Sequence, residues 1–504
     1  MAQEASQPVD AEKLTDLGIT PDEWRQVHRL QLETPHLSAY RVLTSLQKVF
    51  LMLLLAGVVA WLVADAMYCL TFINGLAITF YLVVSAYKVF LIHHSLGLSH
   101  EMRFSREELK SLSDEDLPVY TILVPLYHET ESLRRLVQGL SELDYPKDKL
   151  DVILLLEEDD EATRNTAESM GLPGYIQLLI TPDSLPKTKP KACNLGLARA
   201  RGKYLVIYDA EDRPEIDQLK KAVLGFRRAP SNVICLQAKL NFYNQRQNLL
   251  TRLFTIEYSM WFDLFLPGLT ESGAPIPLGG TSNHFDVEKL REVGGWDAYN
   301  VTEDCDLGVR VARRGFESWM IDSTTWEEAC SDLSFWVRQR SRWTKGYIQT
   351  FLVQMRRPLS LLRGLGIGNF VSFLLVVGGT PLSLLINPIY WLMTALWIGF
   401  RWDGVTALFP FPIILGGLVC LFVGNFVFVY AAMLAAYRRE YYDLVKYALL
   451  APLYWLLMSR GAWKGFLQLI TRPNYWEKTR HGLDLAAKAN AASEPSAQTA
   501  SVNP

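Results

Sequence analysis

The stretch KYLVIYDAEDRPE (203–215) runs through five uninterrupted apolar or aromatic positions into three carboxylates, Asp209, Glu211 and Asp212. Such a run reads as a strand buried on both faces. Two carboxylates at i and i+2 leave it together, and like charges so close are unfavourable unless a cation shares the site. A hard divalent ion with oxygen ligands, Mg2+ or Mn2+, is the natural partner, and it keeps open positions for phosphate oxygens.

The same pattern recurs on either side. VYTILVPLYHE (119–129), LDVILLLEEDDEAT (150–163) and NVICLQAKL (232–240) read as further strands. Between them, ESLRRLVQGLSEL, ATRNTAESM, KPKACNLGLARA and EIDQLKKAVLGFRR have helical spacing. Alternating apolar strands and amphipathic helices predict parallel βαβ units. In such sheets ligands bind beyond the carboxyl ends of the strands. Those ends carry Tyr127-His128-Glu129, then Glu157-Glu158-Asp159-Asp160, then Asp209 to Asp212. The 157–160 group also has a plainer account, as helix-capping loop residues. No GxxxxGK[ST] element lies near a strand end, which excludes a P-loop NTPase. No GxGxxG follows the first strand, which argues against a dinucleotide enzyme.

Hydrophobic residues make up 50% of the 504 positions, which directs attention to where they lie. Val49–Ala64, Ala66–Tyr87, Gly364–Phe400 and Gly404–Tyr437 are each apolar enough to span a bilayer. Lys48 precedes the first run, no Lys or Arg lies between Val49 and Tyr87, and Lys88, Arg103, Arg106 and Lys110 follow. This predicts a helical hairpin with both ends in the cytoplasm, a cytoplasmic middle over about residues 95 to 365, and a return inside by Arg438 and Arg439. The 447–470 segment fits a final span or an interfacial helix, and both readings stay open. The net charge of −3 gives no support to a nucleic-acid partner. Six scattered cysteines predict reduced thiols. The first residues show no basic region leading into an apolar one, so no cleaved signal peptide is expected. Thr20-Pro21-Asp22-Glu23 reads as the start of a short helix in an N-terminal cap. The closing ANAASEPSAQTASVNP is expected to be disordered.

Two constellations remain. Thr302-Glu303-Asp304 opens a helical pattern, DLGVRVARRG, after the Gly-rich turn Gly279-Gly280-Thr281-Ser282. Asp304 there is either a helix N-terminal charge or a functional carboxylate. In VRQRSRWTKGYIQT (337–350), helical spacing puts Gln339, Arg342, Trp343 and Gly346 on one face, with Arg338 and Lys345 offset from it and free to meet lipid headgroups. Membrane anchor and catalytic floor are both consistent with that helix.

Together these features resemble the membrane-embedded processive glycosyltransferases of family 2, the cellulose, hyaluronan, chitin and exopolysaccharide synthases. The resemblance spans about residues 45 to 482. It rests on the DxD-like Asp209-Ala210-Glu211, on Thr302-Glu303-Asp304, on Gln339-Arg340-Ser341-Arg342-Trp343, and on the acidic strand end Glu157-Glu158 with Lys191-Ala192-Cys193-Asn194. PNYWEKTRHG (473–482) is similar to the exopolysaccharide synthases.

The resemblance implies an α/β GT-A glycosyltransferase domain, with a mixed, mainly parallel sheet, inserted between transmembrane helices. The expected organisation is a helical segment 1–45, a transmembrane hairpin 46–93, a catalytic domain 95–330, and interfacial helices 331–365 carrying QxxRW. Membrane or interfacial helices 366–472 and a tail 473–504 follow. The implied reaction is inverting, processive synthesis of a β-linked polysaccharide from UDP-glucose or UDP-N-acetylglucosamine, with export across a bacterial inner membrane. The alternative is transfer of a single sugar to a lipid or glycan.

Implied roles are metal binding by Asp209 and Glu211, and general-base catalysis by Asp304, with Glu303 beside it. Gln339, Arg342 and Trp343 would sit below the donor, Trp343 under the acceptor sugar and Arg342 near the diphosphate, with Glu158 and Lys191 by the nucleotide. Implied partners are the UDP-sugar, the growing chain and membrane lipids. Glu211 stands where Asp is usual, and Glu157-Glu158 where an Asp pair is commoner. No PilZ-like domain follows residue 482, so cyclic di-GMP sensing or an export step would fall to an accessory subunit.

Overall fold

A computed structural model describes residues 9–96, 101–473 and 475. The 473–482 stretch, Pro473 and Tyr475 apart, and the closing tail lie outside the described residues. The nine strands are β1 (Glu101–Met102), β2 (Tyr120–Leu126), β3 (Leu150–Glu157), β4 (Ile176–Thr181), β5 (Tyr204–Ile207), β6 (Arg213–Pro214), β7 (Val233–Phe242), β8 (Asn283–Asp286) and β9 (Glu317–Glu327). They form one sheet in the order β1-β9-β7-β8-β5-β2-β3-β4, with β6 on β9. The β2–β3, β3–β4, β2–β5, β7–β9 and β1–β9 pairs are parallel. β8 runs antiparallel between β5 and β7, so the sheet is mixed and mainly parallel.

Strand periodicity explains why the central strands β2, β3 and β5 are mostly apolar on both faces. Tyr120, Ile122 and Val124 pack into one core layer with Leu136, Leu140 and Val223 of the helices below. Leu123, Ile153, Leu155 and Ile207 point the other way, into a layer with Leu195, Leu290 and Leu307. Both faces are therefore covered, and each fully buried Leu or Ile contributes roughly 1.5–3 kcal/mol relative to exposure. The expected helices appear as Leu133–Glu142, Glu161–Ser169, Lys189–Arg199 and Gln218–Arg228.

β8 matters to the site. Its reversal brings the preceding loop against the end of β5, where Ser282 N and Thr281 Oγ1 both donate to the Ile207 carbonyl at 2.9 and 3.0 Å.

Among the described residues, four helices are long and apolar enough to cross a membrane: Ser45–Ala64, Ala66–Ser95, Pro358–Phe400 and Phe411–Arg438. Leu53 and Val63 of the first are 68% and 84% exposed, as side chains meeting lipid would be. A capping box at Thr44 starts that helix, and Asp65 caps the second.

The helix Ala451–Thr471 packs against the helix Leu333–Gln354. Glycines permit the approach: a Cβ on Gly461 or Gly465 would lie 2.7 Å from Arg340 Cβ or 2.4 Å from the Ser341 carbonyl oxygen. The N-terminal cap begins its Pro21–Val27 helix with the expected capping box at Thr20. It is pinned to the end of the helix Lys189–Arg199 by the Arg199–Glu23 ion pair at 2.8 Å.

Candidate active site

The carboxyl ends of β2, β3 and β5 open into a cavity of about 1600 Å3 that continues between the membrane helices. Asp209 and Glu211 line it because β5 ends at Ile207 and the chain turns there. Asp212 closes the turn by accepting the Asp209 backbone N–H at 2.7 Å and the Thr281 hydroxyl. Its second oxygen, Oδ1, is buried without a hydrogen-bond partner.

Glu327, at the end of β9, faces the same group. Burial, reinforced by the charges of Asp209 and Glu211, pushes the carboxyls of Asp212 and Glu327 well above the usual range. Four carboxylates thus share one corner, and the ammonium facing Asp209 is that of Lys189, 2.5 Å from Oδ1. Among the described residues no three acidic, His or Cys side chains form a ready-made metal cage. The excess negative charge and the orphaned Asp212 oxygen are what an oxygen-liganded cation would satisfy.

Lys189 also donates to the Gly280 carbonyl at 2.6 Å. Gly280 in turn borders Asp304: a Cβ there would sit 3.4 Å from Asp304 Oδ2. Asp304 stands in the first turn of the helix Glu303–Arg313, where its Oδ1 accepts the Cys305 N–H at 2.8 Å. Burial raises the Asp304 carboxyl, against the opposing pull of Lys189 and Arg342. Burial and the neighbouring Asp304 charge push Glu303 up to about 8.

Gln339, Arg342 and Trp343 all line the cavity from the helix Leu333–Gln354. Gln339 Oε1 is buried with no hydrogen-bond partner. Gly346, on the same face, admits Thr302: a Cβ at 346 would meet Thr302 Oγ1 at 2.3 Å. This contact fixes the start of the Glu303–Arg313 helix against the helix that carries Trp343.

The expected outward basic face is corrected by the structure. Arg338 is exposed, but Lys345 is fully buried and donates to the Tyr475 carbonyl at 2.6 Å. The Ala451–Thr471 helix covers the side on which Lys345 was expected to meet lipid.

Two expected nucleotide-side residues do not line the cavity. Glu158 pairs with Lys13 at 2.8 Å and accepts the Asp183 N–H at 2.7 Å. Lys191 is buried against Glu157 at 3.3 Å and the Pro182 and Ser184 carbonyls. The cavity takes Glu157 and Lys189 in their places. Lys189 and Glu327 were not singled out from the sequence. The pair Lys189-Pro190-Lys191 held a signal for the first, and β9 had too polar a sequence to disclose the second.

Residues 118–346 match the family described as "Glycosyltransferase like family 2". The "Probable glycosyltransferase YdaM" of Bacillus subtilis is 27% identical over 275 residues, 53% of this chain and 65% of that protein. "Glucomannan 4-beta-mannosyltransferase 2" of Arabidopsis thaliana is 26% identical over 253 residues, 48% of this chain and 47% of that protein. The chain thus spans about half to two thirds of the length of these relatives. In fold, the chain is similar to the mannosyltransferase PcManGT from Pyrobaculum calidifontis, solved in complex with GDP-Man and Mn2+. The TM-score is 0.51 at 16% identity, over 80% of this chain and 99% of that one.

Proposed function

We propose that the chain, whose residues 118–346 match the glycosyltransferase family 2 model on a GT-A-like sheet, is an inverting, processive synthase of a β-linked polysaccharide at the bacterial inner membrane. The observation that carries this reading is the continuity of one cavity. It joins Asp209, Asp304 and Trp343 to Tyr81, Asn387 and Trp391 of the membrane helices. A pocket for a single transfer to a soluble glycan needs no such extension. Aromatic faces pack on the C–H faces of sugars, and hydroxyl and amide groups meet their rims. The Lys and Arg distribution keeps the catalytic sheet cytoplasmic, where nucleotide sugars are made.

In this reading the donor diphosphate lies between Asp209 and Arg342. Asp209 and Glu211, with Asp212 behind them, would hold Mg2+ or Mn2+, which when bound neutralises the leaving diphosphate. Arg342 adds a second positive charge there. Trp343 and Gln339 hold the terminal sugar of the acceptor. Asp304 takes the proton of its attacking hydroxyl as that oxygen bonds the anomeric carbon. The bond to the diphosphate breaks on the opposite side, so an α-linked donor gives a β-linked product. Positioned proton transfer of this kind supplies about 10²–10⁴-fold. The family resemblance implies UDP-glucose or UDP-N-acetylglucosamine, and PcManGT, similar in fold, was solved with GDP-Man, so GDP-mannose joins them as a donor to test.

The test is to incubate the purified chain with each donor and size the product. A polymer supports the reading. A single transferred sugar on lipid or glycan would replace it with the non-processive alternative.

A further inference from the structure

The QRSRW segment carries two arginines that line the same cavity but meet different partners. Arg342 faces the carboxylates of the cavity. Arg340 is turned into a box of aromatic rings and is 6% exposed. Its guanidinium carbon stands 4.7 Å from the Trp343 ring centroid, 4.6 Å from Phe254 and 5.0 Å from Trp336. Its terminal nitrogens both donate to Glu257, Nη1 to Oε1 at 2.6 Å and Nη2 to Oε2. Glu257 Oε2 also accepts the Tyr454 hydroxyl at 2.7 Å. Tyr454 comes from the helix Ala451–Thr471, which Trp463 ties to the membrane helix through the Leu385 carbonyl at 3.1 Å.

A planar guanidinium held at both nitrogens has one orientation, and a ring lying over it inherits that orientation. Trp343 also makes tilted ring contacts with Phe254 and Tyr258, at centroid distances of 6.1 and 6.2 Å. Arg340 is the charged neighbour over its ring, and the one whose own orientation is fixed by a two-point clamp. We propose that Arg340, clamped by Glu257 and Tyr454, is a positioning residue for Trp343. The clamp governs how well the chain end is held between successive transfers and leaves the chemical step alone. It also links the acceptor subsite to the C-terminal helix beside the membrane portion of the cavity. This inference rests on the reading of Trp343 as the acceptor platform.

The experiment uses the full chain in detergent, with whichever of UDP-glucose, UDP-N-acetylglucosamine or GDP-mannose the wild type turns over. Nucleotide release gives kcat and donor KM, and product sizing gives chain length. Glu257→Gln and Arg340→Lys keep shape or charge but lose the bidentate clamp. They should shorten the product about 5- to 10-fold, the scale of a desolvated cation–π contact, with donor KM within about 2-fold. Tyr454→Phe, which removes one hydroxyl, should shift length the same way by a smaller factor and serves as the folded variant if the others unfold. Trp343→Ala is the reference. If it shortens the product and the clamp variants do not, or if they move donor KM and length together, the positioning role is overturned. If Trp343→Ala itself leaves product length unchanged, the acceptor reading fails instead.

Discussion

Lys189 Nζ lies 2.5 Å from Asp209 Oδ1 and 2.6 Å from the Gly280 carbonyl oxygen. One ammonium thus spans from the end of β5 to the loop that borders Asp304. It answers part of the negative charge of Asp209, Glu211, Asp212 and Glu327, and it competes with any cation for Asp209. Lys189→Met should therefore tighten Mn2+ binding by about 3- to 10-fold, since a like charge near the metal is removed. It should also lower turnover, because the Gly280 loop loses its anchor. A Mn2+ titration followed by calorimetry, beside the kinetic one, separates the two effects.

The carboxyl shifts give a pH signature with a definite sign. A group whose pKa is raised in the folded state stabilises the fold below its unfolded value. That stability is lost as pH rises through the folded value. For Glu303, shifted to about 8 by burial and by Asp304, the loss runs from the ordinary carboxyl range up to about pH 8. Asp212 and Glu327 shift in the same direction. A divalent cation takes over from protons at such a cluster. Thermal unfolding should accordingly show a larger rise on adding Mn2+ at pH 8 than at pH 6. Turnover should have an acid limb above the usual Asp range, because burial raises the carboxyl of Asp304, which must be ionised to act.

Gly346 is the point where the helix Leu333–Gln354 touches Thr302. Gly346→Ala forces a Cβ into the Thr302 side chain. Overpacking of this kind costs about 1–3 kcal/mol. The variant should unfold at lower temperature and lose turnover beyond what the stability loss explains, because Glu303 and Asp304 follow Thr302 directly. Unfolding and kinetics measured on the same preparation decide it.

Thr380 lines the membrane portion of the cavity. A tryptophan there would fill the path of a growing chain without touching Asp209, Asp304 or Trp343. Thr380→Trp should leave the first nucleotide release intact and stop elongation early. Product sizing beside a burst measurement checks this. Full-length product from the variant would remove the membrane extension from the account.

What could be read from the sequence followed the strength of each local signal. β5 and β3 declared themselves because burial on both faces leaves a continuous apolar run, Tyr204–Tyr208 and Val152–Leu156, up to the strand end. β8 is four residues long and β9 carries Glu317, Asp322 and several hydroxyls, so neither shows a strand pattern, and Glu327 went unread with β9. Asp209, Glu211, Glu303, Asp304, Gln339, Arg342 and Trp343 all line the cavity. Glu158 and Lys191 do not, for reasons of periodicity. Successive residues leaving a strand point to opposite sides, so Glu157 turns in where Glu158 turns out. Two positions apart on a helix are nearly opposite, so Lys189 faces the cavity and Lys191 the protein interior. Lys345 shows the same limit at a larger scale. Its burial depends on a helix more than a hundred residues later, which local spacing does not disclose.

The most direct test of the account is Asp304→Asn, assayed for sugar transfer and for donor binding on the same protein. The exchange keeps the shape of the side chain and removes its ability to take a proton. The account predicts transfer lower by about 10²–10⁴-fold with nucleotide binding retained. Transfer at the wild-type rate would contradict it, since the base would then be another group.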